Sequence, residues 1–275
     1  YISFNDSPLG DITIPPGEIS STVFDWFLIT ADADATPGNI QCTVTMSAGT
    51  DEYPYQETET LNLDLTLSQF GFPLDGIVVK SSPVVADLNS DGLKEIYFGS
   101  DNEALHGYNS FGEEIDGFPF QSTDRVRSSP AIGDVDNDGH MEIVFGNSSG
   151  KLYIVNHDGS QQLAYTILGF IEGTPALVDM DGDQDLEIVF TTTTTSGGQL
   201  YAIHHNGITM SGFPKELGSM WAGPAVHDID NDGAYDVVCS TYDKEVYAVE
   251  VNGGCLLYTS DAADDTPCVD LGGRR

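Results

Sequence analysis

Asp134-Val135-Asp136-Asn137-Asp138-Gly139, with a carboxylate at the ninth position (Glu142) opening the run Glu142-Ile143-Val144-Phe145, decides how this chain is read. The same loop recurs three more times. Its other copies are Asp87-Leu88-Asn89-Ser90-Asp91-Gly92, Asp179-Met180-Asp181-Gly182-Asp183-Gln184 and Asp228-Ile229-Asp230-Asn231-Asp232-Gly233, with Glu95, Glu187 and Asp236 at position nine. The copies begin 47, 45 and 49 residues apart (87, 134, 179, 228). A fixed period of that size marks one supersecondary unit repeated in a propeller or solenoid.

The spacing fits one chemistry. Side-chain oxygens at positions 1, 3 and 5 of a tight loop can converge on a point, a backbone carbonyl at position 7 can join them, and the carboxylate at position 9 can close the shell. Six to eight hard oxygen donors suit calcium better than magnesium or zinc. Glycine at position 6 permits the turn that folds the later donors back. Asp, Asn and Gly also dominate ordinary solvated turns, which would explain one copy but not four in register. An EF-hand would require an acidic residue at position 12 and flanking helices. Position 12 is instead Phe98, Phe145, Phe190 and Cys239, at the end of β-branched and aromatic runs that read as buried strands.

The remainder of each unit is also strand-like. A small residue and a proline precede each loop (Ser82-Pro83, Ser129-Pro130, Thr174-Pro175, Gly223-Pro224) and mark a strand start. After each loop strand come a polar turn and a further strand, as in Lys151-Leu152-Tyr153-Ile154-Val155 and Gln199-Leu200-Tyr201-Ala202-Ile203. Gly-Phe-Pro triplets begin at Gly71, Gly117 and Gly212. Roughly four short strands per unit is the content of one propeller blade.

Residues 68–254 therefore resemble the FG-GAP/VCBS repeat family, whose members are similar to the integrin α-subunit β-propeller and carry calcium in such loops. The resemblance implies an all-β fold of propeller blades. It also implies about four calcium ions. Their ligands would be Asp87, Asn89, Asp91 and Glu95; Asp134, Asp136, Asp138 and Glu142; Asp179, Asp181, Asp183 and Glu187; and Asp228, Asp230, Asp232 and Asp236, with the carbonyls of Leu93, His140, Asp185 and Ala234 at position 7. The third loop departs from the pattern, with Gln184 where the others have glycine. With four units visible and relatives of this kind usually longer, the array reads as an incomplete propeller.

The chain has 9 Lys and Arg against 44 Asp and Glu, a net charge of −35. That sign argues against nucleic acid and against anionic membrane surfaces as partners. It suits solubility in a calcium-rich or saline extracellular medium. No apolar run reaches the roughly 18 residues of a membrane span.

Residues 1–66 alternate apolar and polar positions in Thr22–Ile29, Ile40–Met46 and Thr60–Thr66, the pattern of half-buried antiparallel strands. They read as part of an immunoglobulin-like β-sandwich, with Asp32 and Asp34 in a solvated turn. The first residue, Tyr1, reads as a cut start. The last 21 residues, Cys255 to Arg275, break the repeat and resemble the translation of a sequencing-library adapter, a non-native tail that ends the repeat region at Gly254. Of the cysteines before it, Cys239 stands where other repeats have phenylalanine and reads as a small core residue, and Cys42 is remote. A disulfide framework is not expected.

Motifs for catalysis are absent: there is no nucleophile elbow, zinc-helix motif or phosphate loop. The six histidines are scattered, and adjacent His204 and His205 on a strand would point to opposite faces. The run Thr191–Thr195 reads as a surface insertion. Two functions fit. One is a secreted or cell-surface, non-catalytic module that binds a protein or glycan ligand. The other is the accessory region of a larger secreted hydrolase or polysaccharide lyase whose catalytic domain lies in flanking sequence.

Overall fold

The computed structural model describes residues 71–251 in full and, as backbone strands, residues 2–4, 29–31, 38–50, 53–65 and 255–259. The chain divides into two compact units, Tyr1–Gln69 and Phe70–Arg275. In the first, β1 (Ile2–Phe4) pairs with β2 (Ile29–Ala31), and β3 (Gly38–Thr50) pairs with β4 (Tyr53–Leu65) along its whole length. Both pairs are antiparallel. The strand expected over 22–28 lies outside the described residues, as does most of the expected sandwich.

The second unit is all β among its described residues, and the strands group into four antiparallel sheets of four. They are β5 (Val84–Ala86), β6 (Glu95–Gly99), β7 (Ala104–Tyr108) and β8 (Phe120–Gln121); β9 (Ala131–Gly133), β10 (Glu142–Gly146), β11 (Lys151–Val155) and β12 (Gln161–Thr166); β13 (Ala176–Val178), β14 (Glu187–Thr191), β15 (Gln199–Ile203) and β16 (Lys215–Glu216); and β17 (Ala225–His227), β18 (Asp236–Ser240), β19 (Val246–Glu250) and β20 (Cys255–Thr259). Every sheet runs in sequence order, and the first strands pack in series, β5 on β9, β9 on β13 and β13 on β17. Among the described residues no helix is long and apolar enough to cross a membrane, which says nothing of a β-barrel.

Continuous apolar strands follow from burial on both faces. In β10, Ile143 and Phe145 enter the seam with the first sheet, packing with Tyr97, Leu105 and Tyr153, while Val144 enters the seam with the third. β14 repeats the division: Ile188 and Phe190 face back towards Leu152 and Ile154, and Val189 faces forward to Val237 and Cys239. Three apolar seams thus hold four sheets together. Cys239 is buried in the last of them, the role its place in the repeat suggests.

One expectation is corrected. The Thr191–Thr195 run is an inter-sheet seam for most of its length, because Thr191, Thr192 and Thr193 are buried. Thr191 Oγ1 donates to the Ala222 carbonyl and Thr193 Oγ1 to the Met220 carbonyl, both at 2.7 Å. A threonine on a buried strand is tolerated when a neighbouring backbone accepts its hydroxyl. Cys255–Thr259, at the start of the expected tail, forms β20 and pairs with β19 from Val246↔Thr259 to Val249↔Cys255. The open edge of β19 takes the strand-prone run Cys255-Leu256-Leu257-Tyr258-Thr259 as its partner.

Candidate metal centres

Each acidic loop joins the first two strands of its sheet, and the pairing registers fix its frame. Position 9 lies opposite the residue just before position 1: Glu95↔Ala86, Glu142↔Gly133, Glu187↔Val178 and His227↔Asp236. The position-9 carboxylate is therefore carried under the loop on a strand, and all four are buried, at 2% exposure or less. Each accepts a hydrogen bond from the N–H of position 2: Leu88 to Glu95 (3.0 Å), Val135 to Glu142 (3.0 Å), Met180 to Glu187 (2.7 Å) and Ile229 to Asp236 (2.8 Å).

The exposed side of the loop is wound around its aspartates. Asp134 accepts from the N–H groups of Asp138 and Gly139, and Asp138 Oδ1 accepts from the N–H of His140. Asp87 and Asp228 accept in the same way from positions 5 and 6, and Asp91 and Asp232 from Leu93 and Ala234. These bonds turn carboxylate oxygens inward. One donor oxygen from each of Asp87, Asp91 and Glu95, of Asp134, Asp136 and Glu142, and of Asp228, Asp230 and Asp236 lies within 4.8 Å of the others in its group. In the third loop Asp179, Asp181 and Asp183 form one such group, while Asp181 also groups with Glu187 and His204.

Left-handed backbone at two positions makes the winding feasible. Position 6 has φ of 89° at Gly92, 91° at Gly139, 82° at Gln184 and 93° at Gly233, and position 4 has 59° at Ser90, 56° at Asn137, 84° at Gly182 and 60° at Asn231. The third loop has thus moved its glycine from position 6 to position 4. Its bonding shifts accordingly, with Asp179 accepting from Gly182 and Gln184. A Cβ at Gly92, Gly139 or Gly233 meets nothing within 4 Å, so the demand for glycine is one of backbone conformation and not of space. Gln184→Gly is expected to stabilise the protein by about 1 kcal/mol. Matched thermal melts check it, and an unchanged or lower midpoint would refute the reading of position 6.

Electrostatics strain the loops as they stand. Burial, followed by the charges of Asp136, Asp138 and Asp134, pushes the Glu142 carboxyl up to about 7. Burial likewise raises Glu95, with Asp91 and Asp87 adding to it, and raises Glu187 against its bonds from Met180 and His204. Asp136 Oδ2 accepts from Gln162 Nε2 at 2.8 Å, but Asp136 Oδ1 is buried without a hydrogen-bond partner. A buried, unpartnered carboxylate oxygen among three other carboxylates is the environment a hard cation satisfies. The residues of the second loop therefore fit the group that the sequence implies.

Gln162 is not singled out by sequence, and His204 is read there only as one of an adjacent pair on opposite faces. Counting the hairpin register from Ile188↔Ile203 sets His204 opposite Glu187, and its Nδ1 lies 2.9 Å from Glu187 Oε1. The two histidines lie not on the strand, as the sequence suggests, but in the turn just past β15, where His205 meets a different carboxylate, Asp185, at 3.1 Å. At the opposite edge of the sheets an open groove of about 420 Å³ is lined by Ser148, Ser149, Leu168, Gly169, Phe170 and Thr194–Ser196. Leu168 there is 85% exposed.

Comparison with known proteins agrees with this architecture. Residues 87–145 and 134–190 match the model of the FG-GAP-like repeat. No curated protein sequence matches the chain. Among solved structures, the mercury-soaked crystal of BBS1N in complex with ARL6DN is similar at a TM-score of 0.50 and 12% identity, over 66% of this chain and 56% of that one. The biofilm matrix protein Bap1 of V. cholerae gives 0.41 and 18%, over 67% and 40%, and the PilY1 C-terminal domain of Pseudomonas aeruginosa gives 0.46 and 17%, over 58% and 38%. The chain spans little more than half of the first of these and less of the others. Residues 87–190 carry FG-GAP-like repeats, and the chain builds such units into a β-propeller-like array of four-stranded sheets.

Proposed function

We infer that this chain is a calcium-stabilised, non-catalytic binding module of a secreted or cell-surface protein. The observation that carries the calcium reading is the unpartnered Oδ1 of Asp136, buried beside Asp134, Asp138 and the buried Glu142. Like charges held this close around a buried carboxylate destabilise the fold unless a cation lies among them. Residues that hold it are the carboxylates at positions 1, 3, 5 and 9, with Asn89 at position 3 of the first loop. When bound, the ion supplies charge neutralisation and rigid loop geometry, and no bond-making step. An extracellular setting is favoured by the net charge of −35 and by free calcium levels that loops of moderate affinity need.

Ligand contact is assigned to exposed loops carried on the rigid sheets. The groove at the edge remote from the acidic loops combines hydroxyl groups with the exposed Leu168 and Phe170, a mixture suited to a glycan or a polar peptide. Calorimetric titration of the chelated protein tests the reading at its base: three to four calcium ions per chain are expected to bind, and no heat above the dilution blank would overturn it. A glycan array probed with and without calcium then separates sugar from protein ligands.

A further inference from the structure

We propose that the third repeat holds a second kind of metal site, selective for a borderline divalent ion such as zinc, built from His204 Nδ1, Glu187 Oε1 and a carboxylate oxygen of Asp181. It rests on the reading of the acidic loops as cation sites and departs from it in one repeat. In the first, second and fourth loops the position-9 carboxylate groups with the position-1 aspartate. In the third it does not. Glu187 groups with Asp181 and His204, and Asp179, Asp181 and Asp183 form a separate set.

The cause lies in the residue opposite position 9, just past the end of the third strand of the sheet. In the first two repeats the corresponding residues are Asn109 and Asn156, whose side chains are held in their own turns. Asn109 Oδ1 accepts from the Phe111 and Glu113 N–H groups, and Asn156 Nδ2 donates to Ser160 Oγ. His204 is longer and reaches Glu187 instead. Glu187 is fully buried and its Oε2 is fixed by the Met180 N–H, so Oε1 is pinned on the imidazole side.

The donor set is the second indication. His204 Nδ1 and Glu187 Oε1, joined by a 2.9 Å hydrogen bond, and a carboxylate oxygen of Asp181 all lie within 4.8 Å of one another, so one ion can take the place of the shared proton. One imidazole nitrogen and two carboxylate oxygens suit zinc, cobalt or manganese, whereas calcium takes oxygen donors alone. Three protein donors leave positions open to water.

The test uses the full chain in saturating calcium, with Co²⁺ and then Zn²⁺ as probes. The wild type is expected to take up one Co²⁺ with visible d–d absorption, displaced by one equivalent of Zn²⁺. His204→Asn, which installs the residue of the first two repeats, should lower that affinity at least about tenfold. His157→Asn, which removes one ring of the stacked pair beside the second loop, should leave it unchanged. Unaltered Co²⁺ binding in His204→Asn, loss of binding in His157→Asn, or no Co²⁺ uptake by the wild type would each overturn the proposal. Calcium bound by the other three loops is counted in the same samples, so failure of the calcium reading is seen separately.

Discussion

Excess chelator is expected to lower the melting temperature of the calcium-equilibrated protein by about 15 °C or more. Any ion that binds only the folded state adds about 2.7 kcal/mol per site when its free concentration is 100 times its dissociation constant. Three such sites give about 8 kcal/mol, and 1 kcal/mol moves the midpoint of a domain of 150–250 residues by about 2–4 °C. The buried position-9 carboxylates make the effect larger than for a surface loop, because they anchor the second strand of each sheet and the N–H of position 2. Removing the ion leaves those charges in the seam between strands. Superimposable melting curves with and without chelator would remove calcium from the account of this fold.

Periodicity made the repeat region legible. Four loops in register placed the hairpins, and strands apolar on both faces announced sheets packed on both sides, as Ile143, Val144 and Phe145 show by entering alternate seams. The glycine at position 6 was readable because backbone conformation alone demands it, and Gln184 at φ 82° bears that out. Position 4 was not, since Ser90 and Asn137 are ordinary turn residues and only the structure shows their left-handed backbone. Side chains that act across strands were harder still. His204 meets Glu187 through a hairpin whose register depends on the turn length, and Thr193 is buried with its hydroxyl on the Met220 carbonyl of the segment leading into β17. Neither contact is local in sequence, so no window of residues carries it.

Glu142→Gln is expected to reverse sign with calcium: stabilising without it, destabilising with it. In the ion-free protein the Glu142 carboxyl sits at about 7 against an ordinary 4.5, raised first by burial and then by Asp136, Asp138 and Asp134. Between those values the folded state keeps a proton that the unfolded state has released, so ion-free stability falls as pH rises from about 4.5 to about 7 and is level above it. Near pH 8 the penalty is about 3 kcal/mol at 1.36 kcal/mol per unit. Glutamine mimics the protonated acid: its carbonyl still accepts from the Val135 N–H, and its amide donates towards carboxylates that now lack a like-charged neighbour. Chelated Glu142→Gln should therefore melt higher than chelated wild type at pH 8 and alike at pH 4. With calcium present the order inverts, because the bound ion needs the ionised carboxylate and the second site is lost. If the variant melts lower than wild type in both conditions, Glu142 is a structural anchor for the Val135 N–H and not a carboxylate held for a cation.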